Sequence, residues 1–151
     1  MLISKKRIEE TYNLQAENYK GSRQVAKLLL RDMQIPPNPT GLGIGCGDGV
    51  TTFELYDQCG KQGKVIGVDI SQKMVEKAFE NGRRLGYEDV RFMKMDAESL
   101  DFPDNMFDIV MSLFTFQFLP DKLKGFKGNV QSLEARRPSG PLLPNRERVS
   151  V

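Results

Sequence analysis

The chain has 151 residues, 39% of them hydrophobic and 28% charged, which suits an ordinary globular domain with one core. A formal net charge of +2 is too close to neutral to favour nucleic acid as the main partner. The chain contains no histidine, the commonest general base and metal ligand, so we expect no metal site. No long apolar run follows the charged N-terminus, which predicts neither a signal peptide nor a membrane span. Cys46 and Cys59 are expected to be free thiols in a reducing cytoplasm.

Strands and helices alternate along the chain. Two N-terminal helices are predicted, one with an apolar stripe from Ile8 to Tyr19 and one from Ser22 to about Met33, before a proline-rich linker. The alternation that follows predicts a parallel sheet in a doubly wound, Rossmann-like α/β fold of about four strands. The further predicted elements are a strand ending at Ile44, a helix over residues 50–56, a strand over 64–69, a helix capped by Ser71, strands over 90–95 and 107–112, and a helix after Pro120. The apolar positions of the helix capped by Ser71 are Met74, Val75, Ala78 and Phe79, and Gly82 and Gly86 weaken its end.

A glycine-rich loop, Gly45-Cys46-Gly47-Asp48-Gly49, joins the first of these strands to its helix. Glycines at alternate positions let the backbone turn sharply and approach a ligand closely. The following helix offers free N–H groups and the positive end of its dipole, which suits the polar part of a nucleotide-like cofactor. No register of the loop fits the dinucleotide pattern Gly-x-Gly-x-x-Gly, which argues against a nucleotide-dependent oxidoreductase.

Acidic residues end two of the predicted strands. Asp69 lies about 20 residues after Gly49, where a carboxylate can accept hydrogen bonds from ribose hydroxyls; alternatively it charges the start of the next helix. Asp96 can accept from the exocyclic amine of a purine, or it can be a solvated loop acid. Ile70 and Met74 can form apolar walls against a flat base, or they can belong to the core.

Taken together and in this order, these motifs resemble the class I S-adenosylmethionine-dependent methyltransferases, particularly the small-molecule group. The resemblance covers about residues 10–127 and includes segments 65–71, 95–98, 107–110 and 118–121 besides the glycine loop. It implies S-adenosylmethionine as cofactor, a small-molecule acceptor and direct in-line displacement of the methyl group, for which the protein mainly positions the reactants. The cofactor-binding residues that the resemblance implies are Gly45, Cys46, Gly47 and Gly49 for the methionine part, Asp69, Ile70 and Met74, Asp96 and Ala97 for adenine, and Ser112 and Leu113 near the methyl group.

The resemblance also implies a lid and an acceptor side. The spacing Tyr12-x-x-x-Ala16-x-x-Tyr19 is similar to the N-terminal lid helix of the family. Both tyrosine rings can face the sulfonium cation, or they can equally belong to lid packing and core. Gln117 stands where many relatives carry a histidine, so acid–base help from that position is absent and we assign no catalytic base.

Two features depart from the family pattern. Gly43 replaces an acidic residue that organises the loop, and Gly41 replaces a β-branched strand residue. The resemblance stops after about Lys127, and the Pro- and Arg-rich residues 134–151 are expected to form a disordered tail. Permissible codons for residues 128–140, read one base later, spell Glu-Met-Tyr-Arg-Val-Leu-Lys-Pro-Glu-Gly, which resembles the missing family segment. We therefore treat truncation or a frameshift as a hypothesis.

The leading interpretation divides the chain into lid helices and linker (1–40), a Rossmann-like S-adenosylmethionine-binding domain (41–133) and a tail (134–151). A catalytically inactive cofactor-binding remnant is the first alternative, and a nucleotide-dependent oxidoreductase is the second. A nucleic-acid methyltransferase is a weaker variant, because the main domain lacks a basic stripe with interleaved aromatics. An uncovered fourth strand would leave an edge through which the protein can self-associate.

Overall fold

The computed structural model describes residues 4–17, 21, 23–31, 33–60, 62–113 and 115 of the chain. The expected helix after Pro120, the expected tail, Tyr19 and Gln117 lie outside these residues. None of the helices found in the described ranges has both the length and the apolar character needed to cross a membrane. The elements in chain order are α1 (Lys5–Gln15), α2 (Arg23–Leu30), β1 (Thr40–Ile44), α3 (Val50–Cys59), β2 (Lys64–Asp69), α4 (Gln72–Leu85), β3 (Arg91–Lys94) and β4 (Ile109–Ser112).

The four strands form one sheet in the order β3-β2-β1-β4, and every neighbouring pair is parallel. Strand β1 therefore lies between β2 and β4, with Ile44 opposite both Val68 and Ser112. The chain moves outward from β1 to β3 and then returns to the other side of β1. This reversal creates a switch point beside the carboxyl end of β1, where open α/β sheets bind ligands. The predicted Rossmann-like parallel sheet is confirmed.

Each face of the sheet is covered by its own apolar cluster. On one face, Phe53 and Leu55 of α3 pack with α2 and with Val65 of β2. On the other, Leu42 and Ile44 of β1 pack with the segments that flank β3 and β4. Burial on both faces is the normal condition of a parallel sheet, and it explains why the central strands β1 and β2 are buried without strict alternation.

The glycines of β1 let helix α3 approach the sheet closely. A Cβ at Gly41 would lie 3.1 Å from Leu55 Cδ2, and a Cβ at Gly43 would lie 2.6 Å from Thr52 Oγ1. The close helix contact accounts for two glycines of β1 that would otherwise only weaken the sheet. It also means that Thr52 fills the space in which an acidic side chain at position 43 would begin. Gly67, which pairs with Gly43, is different, because its Cβ would lie 2.7 Å from the Phe92 ring on the neighbouring strand β3.

Helix α4 buries only part of its apolar set. Phe79, one of the four apolar positions of the sequence pattern, is 55% exposed and borders a shallow cavity beside Tyr87. The face that packs inward is centred on Met74, Ala78 and Gly82, and Phe79 lies around the helix from that line. Gly82 does not end the helix. The helix continues to the residue before Gly86, whose φ of 82° makes the left-handed turn that terminates it.

Candidate cofactor site

The glycine-rich loop leaves β1 at the switch point and closes onto the first turn of α3. Gly45, Gly47 and Gly49 have φ values of 67°, 54° and 89°, a left-handed region that glycine enters without strain. A Cβ at Gly45 would lie 1.9 Å from Thr115 Oγ1, and one at Gly49 would lie 2.7 Å from Phe53 Cζ. Both conformation and space therefore require glycine at these positions.

The Asp69 carboxylate connects this loop to the end of β2 and the start of α4. Its Oδ2 accepts the Gly47 N–H at 2.9 Å, and its Oδ1 accepts the Ser71 N–H at 2.9 Å. Burial raises the pKa of Asp69, and the N–H groups of Ser71 and Gly47 oppose that rise because they stabilise the charged form. Each carboxylate oxygen has more than one lone pair, so Asp69 retains capacity to accept from a ligand hydroxyl.

Asp48 is a buried acid inside the loop for which the sequence suggested no role. Its Oδ2 accepts the backbone N–H of Gly21 at 2.9 Å, and its carbonyl oxygen accepts from Asn81 Nδ2 at 3.0 Å. The carboxylate also lies 3.4 Å from the N–H of Val50 at the start of α3. Asp48 thus fixes the loop to the α1–α2 connection and to α4.

Asp96 follows β3 and is half-buried. Its Oδ1 accepts the Glu98 N–H at 2.9 Å, and its Oδ2 accepts from Lys5 Nζ at 2.7 Å. Lys5 also pairs with the carboxylate of Glu98, whose side chain is only 4% exposed. Hydrogen bonding to Asp96, and then to Glu98, raises the pKa of Lys5. The acid assigned to adenine is therefore in contact with a cation from α1.

Helix α1 lies over the carboxyl ends of β2 and β3. The Asn13 side-chain oxygen accepts from Ser71 Oγ at 2.6 Å and from the Lys73 N–H at 3.3 Å. Tyr12 of this helix is half-buried, and burial, followed by the charge of Asp69, raises the pKa of its phenol. The lid role that the resemblance implies for this helix stays a prediction.

The end of β4 supplies the other side of the site. Ser112 lies opposite Ile44, and its buried Oγ has no hydrogen-bond partner within the described part of the chain. Thr115 Oγ1 donates to the Ile44 carbonyl at 3.2 Å, beside Gly45. A buried hydroxyl at the switch point that finds no partner among the described residues is available to a polar group of a ligand.

The structure brings the predicted residues of the loop, Asp69, Asp96 and Ser112 to one edge of the sheet. Ile70, Ala97 and Leu113 follow the same strand ends and are half-buried. Cys46 and Met74 are buried, at 3% and 0% exposure, so their side chains belong to the core beneath the loop and α4. Sequence reasoning assigned no role to Lys5, Asn13, Asp48, Glu98 and Thr115. Asp48 and Glu98 lie inside recognised motifs, which was the available signal.

Comparison with known proteins agrees with this geometry. A family model described as a methyltransferase domain matches residues 42–134. Aklanonic acid methyltransferase DauC from Streptomyces sp. (strain C5) is 41% identical over 80 residues, or 53% of this chain and 36% of that protein. Demethylmenaquinone methyltransferase from Staphylococcus aureus (strain JH9) is 32% identical over 125 residues, or 77% of this chain and 51% of that protein.

The fold has a solved counterpart in an S-adenosylmethionine-dependent methyltransferase from Aquifex aeolicus. The two structures align with a TM-score of 0.70 at 23% identity, over 85% of this chain and 77% of that one. A parallel sheet with a glycine loop and acid-terminated strands defines a domain of the nucleoside-cofactor-binding type. The chain belongs to the methyltransferase domain family, among the class I S-adenosylmethionine-dependent enzymes. It spans a third to a half of the length of the two relatives above.

Proposed function

We propose that this chain binds S-adenosylmethionine at the carboxyl edge of its sheet and transfers the methyl group to a small-molecule acceptor. The observation that carries the proposal is the joint placement of the glycine loop and Asp69, in which one carboxylate contacts both the loop and the start of α4. Asp69 would accept the ribose hydroxyls, and Asp96 with Ala97 would meet the adenine. The loop glycines would face the methionine part, with Ser112 and Leu113 near the methyl group.

The chemistry follows from what these residues can and cannot do. When bound, the cofactor supplies a sulfonium-activated methyl group that a nucleophile attacks in line. The protein's contribution is to hold that group and the acceptor in the attacking geometry. The Tyr12 ring can face the cation, because α1 places it near Asp69.

Two relatives bear the names of small organic acceptors, aklanonic acid and demethylmenaquinone, which supports this class of acceptor. The free, buried thiols of Cys46 and Cys59 suit a reducing cytoplasm.

Self-association through β4 is part of the proposal, because within the described residues this strand pairs only with β1. Elution in size-exclusion chromatography at increasing protein concentration tests it.

A cofactor-binding domain without transferase activity is the second candidate. The position of Thr52 against Gly43 favours it, because the acid that the family places there cannot be accommodated without a shift. Cofactor binding with no methyl transfer across a screen of quinols, phenols and β-dicarbonyl acceptors would select this candidate over the first.

Calorimetric titration with S-adenosylmethionine tests the binding step. The decisive variant is Asp69→Ala, and the matched control is Asp104→Ala, an exposed acid in the loop before β4. We expect micromolar binding by the wild type and the control, and loss of binding by Asp69→Ala. Circular dichroism must show that all three are folded. A folded wild type that does not bind overturns the proposal.

A further inference from the structure

The carboxylate assigned to adenine is in contact with a cation of the chain itself. The Lys5 ammonium lies 2.7 Å from Asp96 Oδ2 and also pairs with Glu98. The second oxygen of Asp96 accepts the backbone N–H of Glu98. Both oxygens of Asp96 therefore have a donor, and the one that faces α1 has an ionic one.

Helix α1 is held in this position along its whole length. Its contacts with the body of the domain are the ion pair of Glu9 with Lys94, the hydrogen bonds of Asn13 with Ser71 and Lys73, and the contact of Lys77 with the Ala16 carbonyl after the helix. The Lys5 ammonium is consequently positioned by a docked helix and not by a free terminus. A lysine side chain has four rotatable bonds, so the ammonium can leave Asp96 while the helix stays docked.

The carboxylates of Asp96 and Glu98, which both contact the Lys5 ammonium, differ in their exposure to solvent. Glu98 is almost fully buried at 4% exposure, whereas the Asp96 side chain is 29% exposed and faces the site. A cation withdrawn from Asp96 can keep its contact with Glu98, which avoids leaving a buried charge unpaired. The more exposed acid is thereby the one that can change partners.

We propose that Lys5 guards the adenine position: its ammonium occupies the acceptor site on Asp96 that the exocyclic amine of an incoming purine takes, and the cofactor binds by displacing it toward Glu98. This inference rests on the proposed function, because it requires that Asp96 meets the adenine. An ammonium and an aromatic amine are both donors, so they compete for the same lone pair. The device therefore lowers the affinity of the site for a ligand whose amine must displace the ammonium from Asp96.

If an ion pair opposes cofactor binding, the affinity for an uncharged ligand should depend on the salt concentration. Salt screens an ion pair between partly exposed groups, and it has little effect on a hydrogen bond from an uncharged amine. Adenosine is uncharged, so its affinity for the wild type should rise with salt as the Lys5–Asp96 pair weakens. An ion pair of this exposure corresponds to a change of about two- to fivefold in affinity.

The test measures adenosine and inosine affinity at low and high salt for the wild type, Lys5→Met and the control Lys6→Met. Lys6 belongs to the same helix, is 85% exposed and lies 3.9 Å from Glu10. We expect Lys5→Met to bind adenosine about two- to fivefold more tightly, without salt dependence, and to bind inosine no better. Lys6→Met and the charge-preserving Lys5→Arg should behave as wild type.

The outcomes separate this inference from the proposed function. If the folded wild type binds S-adenosylhomocysteine but Lys5→Met binds adenosine equally or less well, the guarding role is wrong and the cofactor site stands. An equal gain for adenosine and inosine also overturns the inference, because Lys5 would then act on the position of α1. If neither folded protein binds S-adenosylhomocysteine, the proposed function itself fails.

Discussion

The Asp69 carboxylate accepts the backbone N–H of Gly47 at 2.9 Å, so the acid at the end of β2 and the glycine loop after β1 form one unit. The same carboxylate accepts from Ser71, whose hydroxyl in turn caps α4. Loss of Asp69 therefore releases the loop, and under the proposed function it also removes the acceptor for the ribose hydroxyls. Its effects on binding and on stability should appear together.

The pH dependence of stability should show that Asp69 is buried. Burial raises its pKa above the ordinary value of 3.8 in the folded state, so the folded protein holds this proton more firmly than the unfolded chain does. The contribution of Asp69 is therefore greatest below about pH 3.8 and is lost as the pH rises through the folded pKa. We expect the unfolding free energy of the wild type minus that of Asp69→Asn to fall from about pH 4 to about pH 7 in urea titrations. A difference that grows with pH would contradict this.

Gly43 and Thr52 should be energetically coupled. A Cβ at Gly43 would meet the fully buried Thr52 Oγ1 at 2.6 Å, so Gly43→Ala should cost about 1–3 kcal/mol. Adding Thr52→Ala removes the obstructing hydroxyl, and the double variant should lose less than the sum of the single losses, by about 0.5–3 kcal/mol. Gly41→Ala is the control, because its Cβ would meet Leu55 and Val65 instead. Denaturant unfolding measures the cycle, and additivity at position 43 would refute the coupling.

Alanine substitution at two glycines with positive φ but different surroundings should distinguish the cost of backbone strain from the cost of overpacking. Gly49 and Gly86 have φ values of 89° and 82°, so alanine at either carries a similar backbone cost of about 1–2 kcal/mol. At Gly86 nothing lies within 4 Å of the added Cβ, whereas at Gly49 it would lie 2.7 Å from Phe53. Gly49→Ala should therefore lose about 1–3 kcal/mol more than Gly86→Ala. Equal losses in thermal or urea unfolding would show that the space beside Gly49 adapts freely.

Neither cysteine should react readily in the native protein. Burial raises the pKa of Cys59 to about 11 and that of Cys46 well above its usual range, so little thiolate exists near neutral pH. We expect slow reaction with an aromatic disulfide reagent at about pH 8, and release of both thiols on unfolding in guanidinium. Rapid labelling of one equivalent, localised to Cys46 by mass spectrometry, would show that the loop opens in solution.

The local features of this fold could be read from the sequence. The glycine loop, the acid at the end of β2 and the cap of α4 each depend on a few consecutive residues, and the structure has all three. The orientation of Phe79 could not be read in this way, because the buried face of α4 depends on how the helix is rotated against β3. Propensity and spacing indicate that a helix is amphipathic, but packing decides which residue at the border of its face is covered.

Most of the contacts that build the site cannot be predicted from a local sequence pattern, because they join residues that are far apart in the chain. Lys5 and Asp96 are 91 residues apart, and Asn13 and Ser71 are 58 apart. Each contact requires that α1 is already docked on the sheet, which is a property of the whole domain. Likewise, Gly43 reads as a weak point of β1 until the position of Thr52 shows why the strand has no side chain there.

The contact between Gly21 and Asp48 has a consequence for how such domains are recombined. A side chain at position 21 would place its Cβ 2.6 Å from Asp48 Oδ1, so the connection before α2 and the loop after β1 must match each other. An N-terminal segment transplanted from a relative therefore fits only if its residue at position 21 leaves space for the side chain at position 48 of the glycine-rich loop. Exchange of the segment around Gly21 therefore requires a matching change at Asp48. Exchange of α1 along with it also requires matching residues at Ser71, Lys94 and Asp96, which α1 contacts.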